Sequence, residues 1–81
     1  MEVKVLASNR KADTYLFVAA DKDVGELPEA LLTLLGELRD VLEIDLTEER
    51  QLVRCSGAEV LASIEDVGYY LQMPPAEFTK S

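Results

Sequence analysis

The sequence predicts a single α+β domain, a small mixed sheet with helices on both faces, in the element order ββαββαβ. Three observations lead there. The 81 residues suffice for one domain, one that buries only about 60–65% of its unfolded surface. The apolar period switches repeatedly between two and 3.6 residues, the signature of alternating strands and helices. Two of the strand-like segments carry large apolar side chains on both faces, which a sheet with one wet face does not need.

The elements follow in order. Residues 2–7 alternate around Val3 and Val5, and 14–20 (Thr-Tyr-Leu-Phe-Val-Ala-Ala) are rich in strand formers. The polar stretch Asn9-Arg10-Lys11-Ala12-Asp13 between them is turn-prone, so the pair reads as a hairpin. After a polar loop at 21–26, Pro28 stands at the first position of a helix striped by Leu27, Leu31, Leu34, Leu35 and Leu38, with Gly36 as a stop near its end. Residues 41–46 alternate, with Leu42, Ile44 and Leu46 on one face and Glu43 and Asp45 on a wet one. A short strand is expected at 51–55. Ser56 and Glu59 then form a capping box before the stripe of Val60, Leu61, Ile64 and Val67, which Gly68 ends. Tyr69-Tyr70-Leu71-Gln72-Met73 reads as a last strand, stopped by Pro74-Pro75, and residues 76–81 as a frayed tail.

The two-sided strands are 14–20, with Tyr15 and Phe17 against Leu16 and Val18, and 69–73, with Tyr69, Leu71 and Met73 against Tyr70. A sheet covered on both sides accommodates them, by helices on opposite faces or by one helical face and the C-terminal tail.

Composition narrows function. Sixteen Asp and Glu against eight Lys and Arg give a net charge of −8, which opposes duplex DNA, RNA helices and anionic membranes as partners. The charge is local: residues 21–49 hold ten acidic and two basic residues, and the remainder sums to zero. With no His, the commonest acid–base group and metal ligand is missing. One Cys allows no intrachain disulfide and, with no signal-peptide pattern or bilayer-length apolar run, points to a soluble cytoplasmic protein.

Nothing in the sequence marks catalysis. Cys55 has no His to act as its base and reads as a small residue closing a strand. The run Asp21-Lys22-Asp23-Val24-Gly25-Glu26 departs from a calcium loop, with Val24 at an acidic position and Leu32 where the bidentate Glu belongs. One Cys without His cannot build a zinc site. No phosphate-cradling glycine motif and no nucleophile elbow is present. The expectation is therefore no enzyme, no cofactor and no metal.

The least generic stretch is Gly68-Tyr69-Tyr70-Leu71-Gln72-Met73-Pro74-Pro75. It resembles the ending G-Y-Y-L-Q-L-P-P of the YcgL domain family of small bacterial proteins. Thr14-Tyr15-Leu16-Phe17-Val18 is similar to that family's T-Y-L-Y-V strand, and Leu27-Pro28-Glu29-Ala30-Leu31 with Gly36 to its helix start and stop. The likeness runs from about residue 3 to 75, making 1–75 one YcgL-like domain. The family's opening C-x-I-Y-R-S falls on Val3 to Ser8, where Val3, Leu6 and Ala7 replace its Cys, Tyr and Arg, so no role of those residues carries over. The resemblance implies an α/β/α sandwich and no known activity.

The leading expectation is a non-catalytic accessory domain that binds an unidentified cytoplasmic protein. Two alternatives stand beside it: a small-molecule or nucleotide pocket near Tyr15, Tyr69 and Arg10, and weak binding of single-stranded nucleic acid by the basic groupings Arg10-Lys11, Arg50 and Arg54 with Tyr15 or Phe17 as the stacking ring. Candidate binding residues are Arg10, Lys11, Tyr15, Tyr69, Tyr70, Gln72 and Pro74. Oligomeric state is left open.

Overall fold

The computed structural model describes residues 1–52 and 55–73. The elements are β1 (Glu2–Ser8), β2 (Tyr15–Ala19), a 3₁₀ turn (Val24–Glu26), α1 (Glu29–Leu35), β3 (Leu38–Asp45), α2 (Gly57–Val67) and β4 (Tyr70–Gln72). Of the strand expected at 51–55, Gln51 and Ser56 form a single bridge, Leu52 N–H donates to the Cys55 carbonyl at 2.8 Å, and Val53 and Arg54 lie outside the described residues.

The four strands are ordered β3-β1-β2-β4, and every neighbouring pair is antiparallel. This corrects the mixed sheet. A strand–helix–strand unit makes its two strands parallel, as β2-α1-β3 does, but β1 lies between β2 and β3 and pairs antiparallel with both. The parallel strands never become neighbours. Pairing of β1 with β3 shifts between Val5↔Leu42 and Leu6↔Asp40, leaving Val41 as an extra, bulged residue.

Gly36, with φ 72°, ends α1 in the left-handed region, and the chain enters β3 two residues later. Leu38 consequently belongs to the strand rather than to the helical stripe, and Pro28 is the N-cap of α1 rather than its first helical residue. The capping box at α2 is complete: Glu59 N–H donates to Ser56 Oγ at 3.2 Å and Ser56 N–H to Glu59 Oε1 at 3.0 Å. Gly68, with φ 94°, closes that helix.

Two apolar clusters form on these elements. Val3, Val5 and Phe17 pack with Leu46, Cys55, Val60 and Ile64, the last two from α2. Leu6, Leu16 and Val18 pack with Leu27, Leu31 and Leu35 at α1. Successive residues of β2 therefore go to different clusters, as their two-sided pattern anticipates. Tyr70 joins the first cluster, and Tyr69 and Leu71 the second.

The β1–β2 hairpin is tied to the end of α1. Ser8 Oγ donates to the Leu35 carbonyl at 2.6 Å and accepts from the backbone N–H groups of Arg10 and Lys11 at 3.1 and 3.0 Å. Asn9 and Glu37 exchange two further bonds, at 3.0 and 2.9 Å. Ser8→Ala removes one donor and one acceptor at once and is expected to cost about 1–2 kcal/mol, read as a lower urea midpoint. No helix among the described residues is long and apolar enough to cross a membrane.

Candidate functional site

The strand registers set rows of side chains across the sheet. Val5 stands opposite Leu42 on one side and Phe17 on the other, and Phe17 stands opposite Tyr70. The next row holds Arg39, Ala7, Tyr15 and Gln72. Both rows lie on the α2 side of the sheet, since Val5 and Phe17 pack with Val60 and Ile64. The helix covers only part of this side. Beside it an open groove of about 350 Å³ is lined by Val5, Tyr15, Phe17, Val41, Leu42, Ile44, Arg50, Leu52 and Gln72. Val5 and Phe17 form its buried floor, and Phe17 is held edge-on by Tyr70, with ring centroids 5.8 Å apart.

β3 makes the outer wall. Burial falls off from fully buried Leu46, just past its end, through half-buried Ile44 to Leu42, which is 48% exposed, and bulged Val41 at 44%. An edge strand has no neighbour to cover these groups, so the groove keeps an apolar rim. Across the groove Arg50 and Leu52 stand on a backbone fixed to the start of α2, because Gly57 N–H donates to the Arg50 carbonyl at 2.7 Å.

Charge divides between the two faces. Asp40, Glu43 and Asp45 pair in register with Leu6, Lys4 and Glu2, which places them on the side away from the groove. The groove side carries Arg39 in the Tyr15 row and Arg50 in the lining. No ion pair among the described residues involves Arg50. In a chain of net charge −8, no acidic side chain stands among the described lining residues; the nearest acidic influence on this side is Glu59 of α2, which acts on Cys55 and Tyr70.

Cys55 is buried beside the groove, its Sγ 3.7 Å from Gln72 Oε1. Burial pushes its thiol above the usual range, Glu59 adds to the rise, and a hydrogen bond with Tyr70 partly opposes it. Burial likewise raises the Tyr70 hydroxyl, with Cys55 and Glu59 adding to it. The raised pKa means that the native chain keeps a proton the unfolded chain has already lost. Stability is full below the unfolded thiol range and falls as pH rises through it toward the folded value. Urea midpoints from neutral to alkaline pH should show this decline, less steeply in Cys55→Ala; an identical slope in that variant contradicts the assignment. Among the described residues no three His, Cys, Asp or Glu side chains converge to hold a metal ion.

Of the residues singled out in the sequence, Tyr15 and Gln72 line the groove and Tyr70 braces its floor. Tyr69 lies with the other cluster, where its carbonyl accepts from Ser63 Oγ at 2.6 Å. Arg10 and Lys11 sit exposed in the hairpin turn, the Arg10 stem close against Gly36 at the end of α1. Pro74 lies outside the described residues. Val41, Leu42 and Leu52 were not singled out, and Arg50 only as a basic group that could pair with phosphate. Leu42 and Val41 carry no signal, because alternation alone makes Leu42 a core residue, and Arg50 shows in the sequence only as one of few basic side chains.

A family model, the YcgL domain, matches residues 3–75. A YcgL domain-containing protein of Hahella chejuensis is 41% identical over 75 residues, covering 93% of this chain and 71% of that protein. One from Hydrogenovibrio crunogenus is 40% identical over 78 residues, covering 96% and 80%. One from Pseudomonas aeruginosa is 45% identical over 73 residues, covering 90% and 75%.

Proposed function

The chain belongs to the YcgL domain family, whose names state no activity, and from that premise we propose that it is a non-catalytic accessory module that docks another protein in the groove between β3 and the 50–52 segment. The observation that carries this reading is the apolar rim: Val41 and Leu42 are 44% and 48% exposed beside a floor of Val5 and Phe17. Anchors of this kind, aliphatic and aromatic groups with a few polar ones around them, are what protein interfaces use. The separate clusters at α1 and α2 support an α/β/α sandwich with the helices on opposite faces. The non-catalytic part rests on the missing His and on a Cys55 thiol held protonated by burial. A cytoplasmic partner is inferred from the single Cys.

The test is retention of a protein from lysate on the tagged full chain. Leu42→Asp and Gln72→Ala should lose it with unchanged melting curves, whereas Val67→Asp, on the exposed flank of α2, should keep it. Equal retention by Leu42→Asp sinks the reading. A second reading, a small-molecule pocket, is favoured by the groove volume and by its three polar groups, Tyr15, Arg50 and Gln72. It loses Tyr69 and Arg10, which stand elsewhere, and predicts a raised melting temperature with a metabolite or nucleotide. Single-stranded nucleic acid has less support, since Arg10 lies against Gly36 and Tyr15 lines the groove.

A further inference from the structure

Resting on that docking reading, we infer that the segment taken by the groove is apolar and carries an acidic side chain whose carboxylate pairs with Arg50. Charge placement is the ground. Acidic residues outnumber basic ones two to one in the chain, yet among the described residues the only charged side chain lining the groove is Arg50, and it has no ion pair with any other described residue. Asp40, Glu43 and Asp45, close by in sequence, are turned to the opposite side of the sheet by the β1–β3 register. A partner cation would meet Arg50 and Arg39 on this face, while a carboxylate would find a guanidinium that no described residue pairs with, next to an apolar floor, where a charge-assisted fork is strongest.

The guanidinium also starts from a fixed place. Arg50 N–H donates to the Thr47 carbonyl at 3.2 Å, and the Arg50 carbonyl accepts from Gly57 at 2.7 Å. Its backbone is thus anchored to α2, and pairing costs side-chain entropy alone. The fork reads acidity, and Leu42, Leu52 and Tyr15 read the apolar neighbours of that acid. Together they make a selective site out of a chain whose overall charge repels anions at long range.

The experiment selects a phage-displayed random dodecapeptide library against the full wild-type chain, Arg50→Glu, Arg50→Gln and Leu42→Asp. Wild type should enrich apolar peptides bearing Asp or Glu. Arg50→Glu should enrich Lys or Arg instead, Arg50→Gln should lose the charge bias, and Leu42→Asp should enrich nothing. A wild-type peptide should bind Arg50→Glu about tenfold more weakly. Apolar peptides without an acidic bias, or the same peptides from wild type and Arg50→Glu, overturn this inference and leave the docking reading standing. Enrichment that survives Leu42→Asp, or no enrichment, overturns both. A dimer of the wild type that Leu42→Asp dissolves gives the groove to a second copy and overturns the inference.

Discussion

Gly57→Ala is expected to unfold the domain or lower its stability by about 3 kcal/mol or more, the top of the range for overpacking. Gly57 is the buried first residue of α2. A methyl group there would overlap the Thr47 carbonyl oxygen and come within 3.2 Å of the Arg50 carbonyl oxygen. Neither can swing aside as a long side chain would. The Thr47 oxygen accepts from Arg50 N–H, and the Arg50 oxygen accepts from Gly57 N–H itself, so any retreat breaks the turn that holds α2 against the sheet. In a domain of this size the melting temperature should fall by at least about 12 °C. Gly25→Ala is the matched control: its methyl would meet only the Asp23 carboxylate, at 3.4 Å, and the change should stay under about 1 kcal/mol. A Gly57→Ala chain melting with the wild type contradicts the packing described.

Truncation of adjacent residues of β2 is expected to be costly on both faces. Leu16→Ala should cost about 2–5 kcal/mol and Phe17→Ala about 3–5 kcal/mol. Leu16 is fully buried in the cluster with α1, and Phe17 is 5% exposed in the cluster with α2, where it also holds Tyr70 edge-on. In a strand with one wet face, one of two neighbours would point to water and its loss would fall within about 0.5 kcal/mol. Urea unfolding of both variants decides this, because a neutral result for either removes one of the two cores. Total stability for a small domain is about 5–15 kcal/mol, so either variant is expected to lose a large share of it.

The features that were legible in the sequence are those set by neighbours along the chain. Ser56 and Glu59 announce the start of α2 because both bonds of a capping box close within three residues. Gly68 ends the helix because its left-handed backbone suits no other residue as well. The apolar groups on both sides of residues 15–18 announce two cores, since a strand has no other use for them. The sheet order was not legible. Whether β3 settles beside β2 or beyond β1 is decided by packing between residues far apart in sequence, and the mixed sheet failed on that point. The groove follows from the same choice: only when β3 is an edge does Leu42 lose its cover, and only the bulge at Val41 adds a second apolar group to the rim. Tyr15 and Gln72 were visible as amphipathic residues on strands. Arg50 was visible only as a basic side chain, and its place in the groove was not, because that depends on the turn that Gly57 closes.

Amide NMR of the ¹⁵N-labelled full chain, titrated with the protein it retains, reads out whether the groove is the docking surface. Docking in the groove should shift or broaden Val5, Tyr15, Val41, Leu42, Leu52 and Gln72 and leave the 9–13 hairpin turn and α1 unchanged. Perturbations confined to Arg10, Lys11 and α1, with Leu42 and Leu52 unmoved, would contradict it.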